Sequence, residues 1–438
     1  MSLATPEKIG QLQKKLYEKA KQEPTFRFYQ LYDKMYREDI LAHAYRLVRS
    51  AKGARTAGVD GETIEDIETV GVEKWLEARR EELATKTYEP NAVRRVMIPK
   101  PGGGERPLGI PTIRDRVVQT AAKLILEPIF EADMADSAYG YRPGRSAQEA
   151  VKEVHGALCG GYTDVVDADL SKYFDTIPHD QLMQAVARRI VDRHMLKLIK
   201  GWLKVPVEER DENGRPRMTG GKSSKAGTPQ GGVISPLLAN IYMNRLLRVW
   251  RDRGKATEYR AKLINYADDL VILSRGKAAE AMAFLQWAIS KMGLSLNEAK
   301  TRLCDGRQES FRFLGYEFGP EVHHRTGRRY LAAQPSAKSI QRAKEKVKAV
   351  LHPGNQDPWD EVVKQLNRIL RGWTNYFSIG TRWPAYQAIE KYVEERARYF
   401  LRRHHKVLSR GYRRFSSEQL HENMGLARMR ALYKATPA

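Results

Sequence analysis

Short apolar runs occupy the middle of the chain, whereas the apolar residues of both ends follow a helical spacing. Runs of branched residues that are too short for a helix predict strands of a sheet core. The clearest two are Leu263–Tyr266 and Leu270–Leu273, which are separated by Ala267, Asp268 and Asp269. This pattern predicts a buried hairpin with two adjacent carboxylates at its turn.

A second candidate strand, residues 162–170, alternates in polarity. Its two faces would carry different residues: Val165, Asp167 and Asp169 on one, and Val166, Ala168 and Leu170 on the other. A carboxylate at the end of this strand is suited to join Asp268 and Asp269, the two acids at the hairpin turn. Periodicity leaves four acids open for that role: Asp164, Asp167, Asp169 and Asp175. The alternative is that most of them cap helices or pair with nearby arginines.

Both ends of the chain are predicted to be helical. Residues 5–50 carry apolar residues at approximate helical spacing. Towards the other end, the residues from Trp359 to Phe377 form a nearly complete apolar stripe at the same spacing. Lys364, Arg368 and Arg371 lie off that stripe, so we predict a core helix with basic neighbours.

A basic hairpin with a glycine-rich tip is predicted at residues 94–111, and its prolines confine it to the edge of a sheet. Lys100 and Arg106 flank the tip, where two cations and a flexible backbone suit the closure over a triphosphate. A solvated basic hairpin is the alternative. A second hairpin turn is predicted at Asn213–Gly214.

A glycine-rich segment, residues 220–232, leads into an apolar helix. Gln230 is followed by two glycines, Gly231 and Gly232, which allow a base pair or a sugar to approach the backbone closely. A plain connection from a loop to a capped helix is the alternative, but it would not require Gln230.

The composition describes a folded protein that binds polyanions. The 438 residues contain 76 Lys and Arg against 53 Asp and Glu, a net charge of +23, and 42% are hydrophobic. The length suggests two to four domains. A disordered basic tail would lack this apolar fraction, so nucleic acid is the leading partner. Residues 321–438 are the most basic region, with 24 Lys and Arg against 10 Asp and Glu.

Cysteine content and hydropathy bear on the location. Cys159 and Cys304 are the only cysteines, too few for a zinc knuckle or a disulfide framework, which favours a reducing compartment. No apolar run approaches the length of a membrane span. We therefore expect a cytoplasmic protein without a membrane partner, associated with the nucleoid if it is bacterial.

The adjacent acids Asp268 and Asp269 suggest metal chemistry. Two buried neighbouring carboxylates repel each other, and burial raises their pKa values unless a cation neutralises them. Mg²⁺ prefers a few carboxylates together with phosphate oxygens, and two such ions can clamp the attacking and leaving oxygens of phosphoryl transfer. The alternative is an acidic hairpin turn in an unrelated α+β protein.

Nine motifs follow one another in a fixed order over nearly the whole chain. They occupy residues 52–61, 98–111, 139–145, 167–175, 227–240, 266–269, 293–301, 313–318 and 366–377. The pairing of Thr-Pro-Gln-Gly-Gly at 228–232 with Tyr-Ala-Asp-Asp at 266–269 is highly specific. With these motifs the chain resembles the group II intron reverse transcriptases, also called maturases.

The resemblance implies an α+β fold, a right-hand polymerase with fingers, an antiparallel palm sheet and a helical thumb. The implied domains are an N-terminal helical extension at 1–60, fingers at 61–162, a palm with finger elements at 163–325, a thumb or maturase X domain at 326–405, and a basic tail at 406–438 as a candidate DNA-binding segment. The N-terminal helices would form either a lid or an extension that contacts the template.

The resemblance also implies roles for single residues. Asp169 joins Asp268 and Asp269 as a catalytic residue that binds two metal ions, with the Leu170 carbonyl as a further ligand. The implied nucleotide-binding residues are Lys100 and Arg106 at the triphosphate, Gln230 and Gly231 at the nucleotide, Phe174 as a gate under the sugar with Tyr173 beside it, and Lys300 as a proton donor to pyrophosphate. Phe313–Phe318 would support the primer end. The candidate RNA-binding residues are Arg368, Arg371, Arg402, Arg403 and Lys406.

The implied function is that of an RNA-directed DNA polymerase that binds group II intron RNA, assists its splicing and copies it into DNA during mobility. The implied cofactors are two Mg²⁺ ions, with Mn²⁺ as a substitute. The implied partners are group II intron RNA or another RNA template, a DNA primer or target, and dNTPs, and a homodimer is left open. Many members of this family carry a C-terminal endonuclease domain with paired cysteines and histidines, which is missing from the sequence up to Ala438. We therefore expect no second-strand cleavage, and DNA targets that are nicked or single-stranded.

Two alternatives stay open at this point. The first is a free-standing enzyme of the same type that acts in repair or phage defence. The second is a non-catalytic RNA-binding splicing factor on a decayed polymerase fold. Retention of the three acids and of Gln230 argues against decay.

Overall fold

The structure is a computed structural model that describes residues 4–99, 104–210, 215–323 and 325–434. The helices are α1 Glu7–Gln22, α2 Tyr32–Met35, α3 Glu38–Ser50, α4 Ile64–Val70, α5 Val72–Ala84, α6 Ile113–Glu131, α7 Ala147–Cys159, α8 Tyr173–Thr176, α9 His179–Ala187, α10 Arg193–Leu203, α11 Ser235–Asp252, α12 Lys255–Glu258, α13 Ala278–Lys291, α14 Ala337–Val350, α15 Trp359–Tyr376, α16 Trp383–His404 and α17 Met429–Lys434. The strands are β1 Val93–Pro99, β2 Glu105–Ile110, β3 Asp164–Asp169, β4 Pro206–Arg210, β5 Pro216–Gly220, β6 Ala261–Tyr266, β7 Asp269–Ser274, β8 Arg302–Asp305, β9 Phe311–Phe313, β10 Tyr316–Val322 and β11 Arg329–Pro335.

The palm sheet has the strand order β6-β7-β3-β8, and its neighbouring strands are antiparallel. Val166, Ala168 and Leu170 belong to the large core that also contains α11 and α13. Val165 lies on the opposite face, in a separate core with residues of β7 and β9. The predicted two-faced strand at 162–170 is therefore confirmed, because alternate residues enter different cores.

The fingers sheet combines two hairpins that are distant in sequence, in the order β2-β1-β4-β5. The predicted hairpin at 94–111 is confirmed as β1 and β2, with Pro107 on the edge strand, where a missing N–H is tolerated. β1 pairs in parallel with β4, so β4 and β5 are finger elements inside the range predicted for the palm. Lys100 at the first tip and the predicted turn at Asn213–Gly214 lie outside the described residues.

The N-terminal region is less continuous than predicted. α1 ends at Gln22, shortly before Pro24, because proline lacks the N–H that a helix interior requires. Phe28 then forms a parallel bridge with Ile190 before the next helix begins. The prediction that residues 5–50 are helical is wrong between α1 and α2, where pairing with a distant segment replaces the helix.

A three-stranded sheet, β11-β10-β9, connects the palm to the thumb. β9 and β10 are joined by Leu314 and Gly315, both with positive φ angles of 51° and 81°, as a tight two-residue hairpin requires. The aromatic residues of this sheet pack against Phe377, which follows α15. The motif at 313–318 thus lies in the hairpin of β9 and β10.

The thumb consists of α14–α17 around a core of its own. The predicted stripe of α15 is confirmed, because Val362, Val363, Leu366 and Leu370 are buried there. The exact domain boundaries inferred from the sequence stay predictions. Among the described residues, no helix is both long and apolar enough to cross a bilayer.

Candidate active site

The predicted hairpin turn lies between β6 and β7, where Tyr266 pairs with Asp269 and two residues form the loop. Ala267 has φ +58°, an uncommon conformation for a residue with a side chain. The Asn265 amide stabilises it by donating hydrogen bonds to the carbonyl oxygens of Ala267 at 2.8 Å and Asp269 at 3.4 Å. Asp268 therefore projects from a turn whose backbone is fixed from within.

The segment 137–140 supports this turn from outside. Asn265 N donates to Ser137 O at 2.8 Å, and Tyr139 N donates to Asn265 O at 2.9 Å. A Cβ atom on Gly140 would stand 2.6 Å from the backbone nitrogen of Ala267, so only glycine fits without displacing the turn. Asn240 of α11 holds Gly140 through a hydrogen bond of 2.7 Å to its carbonyl oxygen.

Strand register brings the third acid to the pair. Asp169 at the end of β3 is directly opposite Asp269 at the start of β7. Like charges in such a cross-strand pair destabilise each other. Burial, followed by the charges of Asp268, Asp169 and Asp167, raises the pKa of Asp269 to about 7. Burial also raises the pKa of Asp268, and the charge of Asp169 adds to that rise.

Lys300 provides the nearest positive charge, with its Nζ 2.6 Å from Asp169 Oδ2. That hydrogen bond is the main reason why the pKa of Lys300 is raised. In the described part of the chain, no three His, Cys, Asp or Glu side chains stand close enough to hold a metal ion as they are. The donor set nevertheless fits a hard divalent cation, since Asp169, Asp268 and Asp269 meet at one sheet end and lack a matching countercharge.

The backbone beside Asp169 is tied to the loop after α13. Asn297 N donates to Asp169 O at 2.8 Å, and Leu170 N donates to Asp268 O at 3.4 Å. Leu170 itself is 2% exposed. These bonds hold β3, the turn and the loop that carries Lys300 as one unit.

Gln230 and Gly231 lie where the palm meets the fingers. Gln230 O accepts a hydrogen bond from Gly109 N at 2.5 Å, and its side-chain amide donates to Asp175 Oδ2 at 3.1 Å. Gly231 has φ +113°, and a Cβ atom there would collide with the carbonyl oxygen of Gly109 at 2.3 Å. Gly231 is thus needed for strand β2 and this loop to touch.

Arg106 is an exposed residue of β2 that faces the acids. Its positive charge lowers the pKa values of Asp268 and Asp175, although burial raises both overall. Arg95 of β1 acts on Asp175 in the same way and more strongly. The sequence analysis missed Arg95, whose only signal was its place in a basic hairpin.

Phe174 is 8% exposed and rests between two tyrosines. Its ring meets the edge of Tyr173 at 5.8 Å and that of Tyr141 at 6.2 Å, measured between centroids. Tyr173 is 2% exposed, and its hydroxyl donates to Ala239 O at 2.7 Å. The structure thus places Tyr173 behind Phe174 as a support, and this does not favour the direct nucleotide contact predicted for it.

Tyr141 is a second residue that the sequence analysis missed. It is 50% exposed and has φ +56°. Burial of its hydroxyl and the nearby charge of Asp268 raise the pKa of Tyr141, while Arg106 lowers it. Tyr141 stands inside the motif 139–145, but its left-handed backbone and its approach to Phe174 exist only in the fold.

The predicted RNA-binding residues lie on the thumb and after it. Arg368 and Arg371 line an open groove of about 450 Å³ on α15, together with Lys364 and Asn367. Arg402 and Arg403, at the end of α16, approach the ring of Tyr399 at 5.6 and 6.0 Å. Lys406 follows in an exposed turn. Among the described residues, no carboxylate lies within 4.0 Å of any of these five cations, Arg368, Arg371, Arg402, Arg403 and Lys406.

Two family models match the chain. One, described as reverse transcriptase (RNA-dependent DNA polymerase), matches residues 98–318. The other, described as group II intron, maturase-specific domain, matches residues 340–417. The first contains strand β2 and the three acids, and the second contains α15 and α16.

Curated relatives agree with these matches. Protein YkfC of Escherichia coli is 35% identical over 344 residues, which cover 70% of this chain and 87% of that protein. The group II intron-encoded protein LtrA of Lactococcus lactis is 30% identical over 352 residues, covering 66% of this chain and 56% of LtrA. Among solved structures, apo telomerase from Candida tropicalis has a TM-score of 0.45 at 12% identity, covering 74% of this chain and 59% of that one.

The matched domains and the acids at the palm turn define an RNA-directed DNA polymerase with a right-hand fold. The chain belongs to the group II intron reverse transcriptases, whose members combine this polymerase with a maturase domain that assists splicing. The fold class, the family and the enzyme class predicted from the sequence are therefore confirmed. Members of the reverse transcriptase family generally use divalent metal ions.

Proposed function

We propose that this chain extends the 3′ end of a DNA primer on an RNA template with dNTPs, and that Asp169, Asp268 and Asp269 hold two Mg²⁺ ions for this reaction. The observation that carries the proposal is the register of the palm sheet, which sets Asp169 opposite Asp269 beside the turn with Asp268. When bound, the ions would lower the charge repulsion of the phosphoryl transfer and activate the primer hydroxyl. The carbonyl of Leu170 is the proposed further ligand, and Mn²⁺ the proposed substitute.

The other residues of the site would orient the nucleotide. Arg106 and Lys100 would bind the triphosphate, and Gln230 and Gly231 would set the position of the nucleotide against the fingers. Fixing these groups before the reaction lowers the entropic part of the barrier. Lys300 donates a hydrogen bond from Nζ to Asp169 Oδ2 in this structure. Once metal neutralises that carboxylate, Lys300 would interact with the pyrophosphate instead.

Phe174 is the proposed gate under the sugar. Its ring is fixed by Tyr173 and Tyr141 on two sides, so a ribose 2′-hydroxyl would meet a surface that cannot move away. The proposal gives the two tyrosines a supporting role.

The thumb and tail are proposed to bind group II intron RNA and thereby to assist its splicing. The proposal is supported by the cations of α15 and of the end of α16, which have no acidic partners among the described residues. Such cations gain affinity by displacing counterions from phosphates. A homodimer and a cytoplasmic location stay predictions from the sequence, to be measured by light scattering and by cell fractionation.

Primer extension tests the proposal. Wild-type protein with Mg²⁺, poly(A)/oligo(dT) and dTTP is expected to synthesise DNA, and Asp268→Asn is expected to lose on the order of 1,000-fold or more in rate, because several kcal/mol of charge stabilisation disappear. Lys74→Gln, an exposed substitution on α5, is the control. Equal activity of wild type and Asp268→Asn would refute the site, and an inactive wild type that still promotes splicing would favour the non-catalytic alternative.

A further inference from the structure

A second basic cleft lies away from the acids. It has a volume of about 530 Å³ and opens between the segment 24–27 and helices α6, α9 and α11. These helices belong to the core on the side of β3 that carries Val166 and Ala168, whereas Asp167 and Asp169 are on the other side of that strand. Asp169, Asp268 and Asp269 do not line this cleft.

Five arginines line the cleft against one acid, Asp133. The arginines are Arg27, Arg188, Arg189, Arg245 and Arg248. With a formal charge of +4 at its lining, the cleft concentrates positive potential inside low-dielectric walls, where a field acts over a longer range than on an open surface. Its floor includes the apolar side chains of Phe130, Met134 and Ile241.

Three of the five arginines already have partners that explain them. Arg189 is 3% exposed and pairs with Asp133 at 2.9 Å. It also donates to the carbonyl oxygens of Glu23 and Phe26, at 2.9 and 3.1 Å, and so fastens the segment after α1. Arg27 donates to Ala187 O at 3.0 Å, and Arg245 donates to Gln181 Oε1 at 2.8 Å.

Arg188 and Arg248 are different. In the part of the chain that the structure describes, neither side chain donates a hydrogen bond, and neither has a carboxylate within 4.0 Å. Burial lowers the pKa of Arg248, and the charge of Arg188 lowers it further. Two guanidinium groups thus repel each other in one cleft, and Asp133, the acid of the cleft lining, is already paired with Arg189.

We propose that this cleft is an RNA-binding site outside the polymerase channel, in which Arg188 and Arg248 bind backbone phosphates. A phosphate would remove the repulsion between the two groups and satisfy their free N–H donors, because guanidinium matches phosphate in planar, two-bond geometry. An acidic protein segment is less favoured, because the chain belongs to a family whose members bind RNA and its net charge of +23 favours nucleic acid.

RNA binding in this cleft is separate from polymerisation, so it can be measured without DNA synthesis. Fluorescence anisotropy with a labelled, blunt-ended RNA hairpin is measured at several KCl concentrations, with wild type and with Arg188→Gln/Arg248→Gln. We expect about tenfold weaker binding at physiological salt and a log–log salt slope that is flatter by about 1.8 units, because two phosphate contacts are lost. Primer extension should stay within twofold of wild type.

Two controls separate a lost contact from a lost fold or a lost charge. Lys74→Gln/Arg80→Gln removes two exposed cations of α5 outside the cleft and should bind the hairpin like wild type. Arg188→Lys/Arg248→Lys keeps both charges and should keep the salt slope. If the double Gln variant binds the hairpin with the same affinity and the same salt slope as the α5 control, the proposal is wrong.

A free nucleotide could offer the same phosphate chemistry, so AMP in excess is added as a competitor. We expect no displacement of the hairpin by AMP. Displacement from wild type but not from the double Gln variant would assign the cleft to free nucleotides and overturn the RNA site. Because binding is read without DNA synthesis, failure of the polymerase proposal would leave this experiment informative.

Discussion

The palm turn and the thumb surface use charge in opposite ways. At the turn, Asp169 and Asp269 are forced together by strand register, and burial raises the pKa of Asp269 to about 7. On α15, Arg368 and Arg371 line an open groove whose lining includes no acid. The palm charges are few, half-buried and fixed, whereas the thumb charges are many and are spread over two helices.

This difference sets how each region responds to change. A buried like-charge cluster depends on angstrom-level backbone geometry, so one displaced atom affects the whole site. An exposed basic surface binds phosphates through contributions that are nearly independent and weakened by salt. We therefore expect large effects from small changes in the palm, and small effects from single changes in the thumb.

After the loss of an acid itself, the largest effect is expected from Gly140→Ala. The added Cβ would stand 2.6 Å from Ala267 N, so the turn must move, and a shift of about 1 Å at such a site costs on the order of 100-fold in rate. Primer extension measures it. The control is Gly156→Ala on α7, where a Cβ meets nothing within 4 Å. Full activity of Gly140→Ala would show that the turn tolerates displacement.

The next effect separates binding from synthesis. Replacing Arg402, Arg403 and Lys406 with Ala should weaken intron RNA binding by more than about tenfold and flatten the salt slope by about 2 to 3 units. Filter binding over a salt series measures both. Asp268→Asn is the reciprocal control, because its charge is in the palm.

Splicing of the cognate intron at low Mg²⁺ extends that comparison. It should survive Asp268→Asn and fail in the triple variant, since splicing depends on RNA binding and not on DNA synthesis. The division between the two regions is contradicted if the triple variant binds and splices normally while the palm variant does neither.

A smaller effect is expected at Phe174. Phe174→Val removes the ring that Tyr173 and Tyr141 hold in place, so the ratio of rNTP to dNTP incorporation should rise by about tenfold, the size expected when a pocket gains room for one small group. Single-nucleotide kinetics measure the ratio. Tyr141→Phe keeps the edge contact and should keep the ratio. If the ratio is unchanged in Phe174→Val, Phe174 is not the gate, and a neighbour such as Tyr173 should be tested.

The smallest effect is expected from Arg371→Ala alone. One exposed phosphate contact among many should change RNA affinity only about two- to threefold and the salt slope by about 0.7–0.9 units. Arg368→Ala is the companion variant, and the double variant should show the sum of the two changes if the contacts are independent. A tenfold loss from Arg371→Ala would show that the thumb, too, has a fixed site.

Much of the fold was accessible from local patterns. The hairpin around Asp268, the alternation of residues 162–170 and the stripe of α15 depend on periods of two or 3.6 residues, which neighbouring side chains determine. The break after α1 was not accessible in the same way. The replacement of helix by a bridge from Phe28 to Ile190 depends on a partner 162 positions away.

The site shows the same limit. Asp268 and Asp269 follow from their own hairpin, but periodicity left Asp164, Asp167, Asp169 and Asp175 equally suited as the third acid, and the family resemblance was needed to choose. In the structure, Asp169 lies opposite Asp269 in the strand register, and Asp175 accepts a hydrogen bond from the Gln230 amide. Tyr141 lies in a motif and Arg95 in a basic hairpin, but neither pattern indicated that these residues approach the acids, because that approach is set by how the fingers pack on the palm.

We could infer the class of polymerase, the acidic hairpin and the positively charged thumb without coordinates, because each depends on consecutive residues, on their spacing or on their charge. The meeting of the three acids, the close backbone approach at Gly140, and the approach of Arg188 to Arg248 became visible only in the folded molecule. These contacts join segments that are far apart along the chain. Register, burial and close backbone approach exist only once those segments have packed.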